Sequence, residues 1–231
     1  MKKEKHIAIV LAAGQGKRMQ SSVQKQYLLL NGKPVLYYSL KVFEDCPFMD
    51  EIILVTGKDE IAYCRQEIVQ KYGFTKIHAI VPGGKERYHS VYEGLKEITE
   101  GDYVYIHDGA RPFIDSEILE RAKAEVEVSG ACVVGMPVKD TIKISDGNQL
   151  AVETPRRDLV WMVQTPQVFV RELITNAYKK LLEGDTVAVT DDAMVLEIME
   201  HKQVRLVEGS YQNIKITTPE DLVIAEAFLK S

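Results

Sequence analysis

The residues best suited to chemistry stand in short loops that follow apolar runs. The run His6 to Leu11 leads into Ala12-Ala13-Gly14-Gln15-Gly16-Lys17-Arg18-Met19. Small residues there let the backbone approach an anion closely and turn its N–H groups inward. Arg18 and Lys25 add positive charge, whereas Lys17 fits a solvated position equally well. A nucleoside triphosphate carries roughly four negative charges, most of which two cations and Mg²⁺ would neutralise. A G-x-G pair also describes a ligand-free tight turn, so the loop alone leaves both readings open. Two better-known phosphate motifs are missing: the dinucleotide fingerprint needs glycine where Met19 stands, and the Gly-Lys-Ser/Thr of a Walker loop occurs nowhere.

Further loops repeat the theme. Pro82-Gly83-Gly84-Lys85-Glu86-Arg87-Tyr88-His89-Ser90 places paired glycines and cations ahead of a helix whose cap is expected at or near Ser90. In His107-Asp108-Gly109-Ala110-Arg111-Pro112, an aspartate ending an apolar run suits Mg²⁺ held against phosphates, or simply a turn cap. His107 is expected to pack, because no second histidine stands at metal-ligand spacing. Thr154-Pro155-Arg156-Arg157 and Val163-Gln164-Thr165-Pro166-Gln167 offer cations and hydroxyls, and Thr190-Asp191-Asp192-Ala193 reads as a helix N-cap whose helix end could also receive a phosphate.

The elements that must position these loops alternate. Strands are expected at His6 to Leu11, Glu51 to Val55, Ile77 to Val81, Tyr103 to His107 and Cys132 to Met136. Helices are expected at Val35 to Glu44, Glu60 to Lys71, Ser90 to Ile98 and Glu117 to Val128. That alternation predicts an α/β fold with a doubly wound, mainly parallel sheet, which binds ligands beyond the carboxyl ends of its strands. From Lys139 to Glu153 polarity alternates around Asp146-Gly147-Asn148, which predicts a projecting β-hairpin arm, at about 139–160. A strand near Val204 to Val207 and a final helix capped by Thr218, with Pro219 first and Asp221 completing the cap, close the chain. With no repeat or linker, residues 1–231 are expected to form one domain.

Composition narrows the function. The net charge of -5 argues against nucleic acid or an anionic membrane as partner, so any anionic ligand must be met by local cations. Three scattered cysteines without a CxxC pair suggest neither disulfides nor zinc, and the first apolar run is too short for a signal peptide, so the cytoplasm is the expected location.

Taken in order, AAGQGKRM, KQY at 25–27, GGKERYHSV, HDGARP, VKDTIK, TPQ at 165–167, TDDA and NIKITTPEDL resemble the 2-C-methyl-D-erythritol 4-phosphate cytidylyltransferase family over nearly the whole chain. The resemblance implies a nucleotide-diphospho-sugar transferase fold and a homodimer with interlocking arms. It also implies CMP transfer from CTP to methylerythritol phosphate with Mg²⁺. It assigns Ala12, Ala13, Gly14 and Gly16 to CTP, and Arg18 and Lys25 to its triphosphate. Gly84, Arg87 and Ser90 fall around the cytidine, and Asp108 is associated with Mg²⁺. Gly109, Ala110, Arg111, Thr141, Thr165, Thr190 and Lys215 belong to the nucleotide-side turn and sugar-phosphate pocket. Arg157, rather than its neighbour Arg156, would come from the other subunit. Arg18, Lys25, Arg157 and Lys215 are the expected catalytic groups. Small departures, Gly109 for alanine and TDD for TDE, remove no charge.

Three rivals share parts of the pattern. A ribitol 5-phosphate cytidylyltransferase commonly shows AGG where Ala12-Ala13-Gly14 stands. A nicotinamide-dependent oxidoreductase would want glycine at Met19. A non-catalytic nucleotide-binding module would have little use for Arg18, Lys25, Asp108 and Lys215 together.

Overall fold

The computed structural model describes residues 3–14, 16, 19, 23–184 and 188–230. Among these, β1 (His6–Ala12) precedes α1 (Val35–Asp45), with the short pair β2 (Leu29–Leu30) and β3 (Lys33–Pro34) between them. β4 (Met49–Thr56) leads through α2 (Ile61–Tyr63) to β5 (Ile77–Pro82), then α3 (Arg87–Lys96), β6 (Tyr103–Asp108), α4 (Ser116–Ser129) and β7 (Ala131–Pro137). The arm carries β8 (Ile144–Ser145) and β9 (Ala151–Glu153). After it come β10 (Trp161–Val170), α5 (Arg171–Glu183), α6 (Asp192–Glu200), β11 (Arg205–Glu208) and α7 (Pro219–Phe228).

Seven strands form one sheet in the order β11-β7-β10-β6-β1-β4-β5. All neighbours run parallel except β10, which is antiparallel to both β6 and β7. Alternation along β1 shows the double winding: Ala8 and Val10 pack toward the side holding Leu36, Leu40 and Ile118, while Ile7 and Ile9 pack toward Val91, Leu95 and Ile174. The inner strands β1, β4, β6 and β7 are largely buried and need near-continuous apolar runs, which makes them readable, while the edge strand β5 shows only as a short β-rich run with Val81 buried. Chain order reverses about β1, since β4 lies on one side and β6 on the other, and a cleft opens naturally at such a switch point.

Three expectations need correction. No strand is expected around Val163 to Gln167, grouped above with the loops, yet Trp161–Val170 forms the antiparallel β10 inside the sheet. The helix expected from Ser90 starts at Arg87 with Glu86 at its cap. Ser90 instead uses its hydroxyl one turn inside the helix, accepting from the Gly84 N–H at 3.1 Å and donating to the Glu86 carbonyl at 3.2 Å. The stretch expected as one helix over Glu60 to Lys71 is composite, with a 3-10 turn at Lys58–Glu60, α2, and a wider π turn at Cys64–Gln70.

The hairpin is present. Asp146 accepts from the N–H groups of Asn148 at 2.8 Å and Leu150 at 3.3 Å, and Gly147 takes the left-handed conformation that the turn requires (φ 89°). The chain leaves the sheet at Pro137 and re-enters at Trp161, its direct partner across β7 and β10. At the C-terminal helix, Asp221 accepts from the Thr217 and Thr218 N–H groups, both at 2.8 Å, as the capping pattern predicts.

Candidate active site

A cleft of about 480 Å³ lies over the carboxyl ends of β1, β5 and β6. Its walls include Ala12, Ala13, Gly14, Gly16 and Lys25 on one side, Gly84, Arg87 and Ser90 on another, and Asp108, Ala110 and Lys215 about the floor. Arg18 lies outside the described residues. The two glycine loops meet closely: a Cβ on Gly83 would stand 2.4 Å from the Ala13 Cβ and 2.8 Å from the Ser90 oxygen. Only glycine permits that approach.

Lys25 is placed by its neighbours in a 3-10 turn, Lys25–Tyr27. Gln26 is buried and donates to the Ala12 carbonyl at 2.5 Å. Tyr27 meets the Thr56 hydroxyl at 2.8 Å and donates to Glu60 at 2.9 Å. The turn is therefore pinned to the ends of β1 and β4, and Lys25 is carried to the cleft wall.

Asp108 ends β6 and is buried, yet three cations surround it. Lys215 Nζ lies 2.7 Å from Oδ2, Arg87 Nε donates to Oδ1 at 3.3 Å, and Arg111 Nε lies 3.8 Å from Oδ2. Burial alone would push this carboxyl up, but Arg87, Lys215 and Arg111 outweigh it and hold it well below the usual carboxylate range. Lys215 is delivered from a distant segment: the Asn213 amide donates to the Thr165 carbonyl at 3.0 Å, Arg111 donates to the Asn213 carbonyl at 2.8 Å, and the Ile216 N–H donates to the Ala110 carbonyl at 2.8 Å.

Thr165 sits under the floor rather than in the cleft. Its hydroxyl accepts from the Asp108 N–H at 3.1 Å and lies 3.0 Å from His107 Nδ1, while His107 Nε2 lies 3.2 Å from the Arg111 carbonyl. One tautomer satisfies all three contacts, with Thr165 donating to Nδ1 and the Nε2–H donating onward. Burial pushes the His107 imidazole down to about 4, so it is neutral at pH 7 and serves packing, as expected.

Gly109 lies against Leu36 and the Leu11 carbonyl, with its N–H donating to that carbonyl at 2.8 Å. Thr141 and Arg157 are exposed on the arm and do not line the cleft; Arg157 donates to the Lys139 carbonyl at 3.1 Å. Arg156 instead pairs with Asp158 at 2.5 Å. Thr190 is exposed just before α6, where Asp191 is the cap, accepting from the Met194 N–H at 2.9 Å. Sequence reasoning missed Gln26, Asn213 and the inward-facing Asp192. Their signal is weak, since each is a common polar residue whose partners are far away in the chain.

A family profile for 2-C-methyl-D-erythritol 4-phosphate cytidylyltransferase matches residues 6–231. The chain belongs to this family. A relative bearing that name from Lachnoclostridium phytofermentans is 52% identical over 227 residues, covering 98% of this chain and 97% of its own length. One from Lachnospira eligens is 53% identical over 224 residues, with 96% and 98% covered. The crystal structure of 4-diphosphocytidyl-2C-methyl-D-erythritol synthase from Anaerococcus prevotii superposes with a TM-score of 0.87 at 35% identity, covering 99% of this chain and 97% of that one. The family resemblance and the mainly parallel α/β fold read from sequence both hold, and the chain is a nucleotidyltransferase of isoprenoid precursor biosynthesis.

Proposed function

We propose that this cleft binds CTP and passes its CMP moiety to 2-C-methyl-D-erythritol 4-phosphate, releasing pyrophosphate, with residues 1–231 acting as one catalytic domain. The observation that carries the reading is Asp108, buried at the cleft floor with Lys215, Arg87 and Arg111 about it and Lys25 on the wall. The attacking group is a phosphate monoester whose second pKa is about 6, so at neutral pH its oxygen needs no base. What remains is to bring two anions together in line, which asks for positioning and positive charge.

In this reading Ala12, Ala13, Gly14 and Gly16 lie along CTP, and Gly84 and Ser90 flank the base. Arg18 and Lys25 stabilise charge at the α-phosphate. Lys215 holds the incoming phosphate, with Ala110, Arg111 and Thr190 nearby and Gly109 and Thr165 shaping the turn beneath. Mg²⁺ fits the donor set: it is usually held by one or two carboxylates with phosphates and waters, and two lone-pair positions of Asp108 stay open beyond Lys215 and Arg87. When bound, the metal would offset charge on the triphosphate.

Arg157 and Thr141 would reach the site of a second copy, because in one chain they stand on the arm away from the cleft. The arm exposes Ile144, Leu150, Val152 and Leu159, with Met162 exposed at the adjoining start of β10, an apolar surface suited to a homodimer. Among the described residues no helix is long and apolar enough to cross a membrane.

Pyrophosphate release with CTP, ATP, GTP and UTP, each against methylerythritol phosphate and ribitol 5-phosphate, tests the proposal. Release should require CTP and methylerythritol phosphate; faster release with ribitol 5-phosphate would move the chain to the rival substrate.

A further inference from the structure

Behind the cleft floor lies a buried network that the reaction as described does not use. Asp192, on the first turn of α6, is wholly buried. Asp191 beside it does the capping, which leaves Asp192 facing inward. Arg87 donates through Nη1 and Nη2 to the two oxygens of Asp192, both at 2.8 Å, and Tyr178, also wholly buried, donates to Asp192 Oδ1 at 2.5 Å. The remaining edge of the same guanidinium, Nε, donates to Asp108 Oδ1 at 3.3 Å. One side chain thus bridges a carboxylate in the cleft to another behind it.

Such a fork-to-fork pair fixes the guanidinium plane as well as its charge. For Arg87 to swing toward a bound phosphate it would have to leave Asp192 ionised, buried and without its cation, which is strongly unfavourable. Burial would lower the Arg87 pKa, yet Asp192 and Asp108 together raise it well above the ordinary arginine value, so the cation is permanent. A second tie runs in parallel. Gln167 donates to Asp191 at 3.0 Å and accepts from the Ala193 N–H at 2.8 Å, which fastens the start of α6 to β10 two residues from Thr165. Thr165 in turn holds the Asp108 backbone. Side chain and main chain of Asp108 are both referred to the same helix end.

The geometry points to Asp192 as a positioning residue for CMP transfer, acting through Arg87 to fix the Asp108 carboxylate that orients Lys215, with Tyr178 as its support. This rests on the cytidylyltransferase reading above. Arg87, on the cleft wall, then serves the site by holding Asp108 and need not touch the cytidine.

The test compares kcat and KM for both substrates, by pyrophosphate release, in wild type, Asp192→Asn, Tyr178→Phe, Asp108→Asn and the Asp192→Asn/Asp108→Asn double variant. Thermal unfolding of each purified protein accompanies the kinetics. Asp192→Asn should lower kcat roughly 10- to 100-fold, as a small misplacement of a positioned group does. KM for CTP should stay within about threefold, because nothing that binds the nucleotide directly is removed. In the Asp108→Asn background the same change should cost less than about threefold, since residues acting in one chain are not additive. Tyr178→Phe keeps the ion pair and deletes one hydrogen bond, and should lower kcat by about threefold or more. It makes the comparison should Asp192→Asn not fold. Unchanged kcat, a loss confined to KM for CTP, or losses that multiply in the double variant would each overturn the inference. Absence of pyrophosphate release by the wild type would instead overturn the cytidylyltransferase reading itself.

Discussion

Replacing Asp108 with asparagine keeps the shape of the floor and removes the carboxylate that Lys215, Arg87 and Arg111 share, so the consequences can be worked residue by residue. Two unit charges about 4 Å apart attract by roughly 4 kcal/mol at the effective dielectric of a protein near its surface. Little of that is lost at Lys215, whose side chain is 35% exposed and can turn to solvent, or at Arg87, which keeps Asp192. Arg111 is different. Its side chain is 12% exposed, its Nε has no hydrogen-bond partner, and Asp108 is what offsets the burial that already lowers its pKa. Leaving one partly satisfied buried cation should cost about 1.5–3 kcal/mol. For a chain of this size that corresponds to a fall in Tm of roughly 3–12 °C. Turnover should fall further, by about 10²-fold, because Lys215 loses the acceptor that orients it. Calorimetry and pyrophosphate release on the same preparation check both figures. A Tm within a degree of wild type together with activity within twofold would refute this account of the floor.

Other outcomes follow from the same structure. Lys25→Ala should lower kcat by roughly 10²-fold while Tm stays within a few degrees, as measured by pyrophosphate release and thermal unfolding. Mixing Arg157→Ala with Lys215→Ala subunits should restore about a quarter of wild-type sites, since random pairing makes about half the dimers mixed and each of those has one intact site; no restored activity after confirmed exchange would put the arm in its own subunit. Gly83→Ala should weaken CTP binding measured by calorimetry by about tenfold or more, because the new methyl group collides with Ala13 and forces the two loops apart. His107 is held low in the native state, so below about pH 6.5 the unfolded chain binds a proton that the folded one refuses until about pH 4; stability should fall across that window, and His107→Gln should flatten the His107 share of the fall, leaving that of His6, which is shifted the same way.

Much of the scaffold was readable because its physics is local. β1, β4, β6 and β7 are buried along most of their length and so read as near-continuous apolar runs, the edge strand β5 shows through Ile77, Ala79, Ile80 and Val81, and the turn at Asp146 and the cap at Thr218 rest on neighbouring residues. β10 was hidden for a physical reason: WMVQTPQVFV has a proline and two glutamines where a central strand should be apolar and fully bonded. The structure accommodates them by shifting register against β7 between Val163 and Gln167 and by bonding Gln164 to Ser210 and Gln167 to Asp191. At the site, loops rich in glycine and charge announced themselves, but which charges pair did not. Arg87 and Asp192 are 105 positions apart, and nothing near either residue says that they meet.

Because Pro137 and Trp161 face each other directly across neighbouring antiparallel strands, everything between them is, to the sheet, one overgrown turn. Such an insertion can lengthen, shorten or change its surface without moving a single strand of the framework. The part of the molecule proposed above to pair with a second copy is thereby decoupled from the part that must keep its floor rigid, and on that proposal pruning the excursion to a short connection should leave a folded but solitary body.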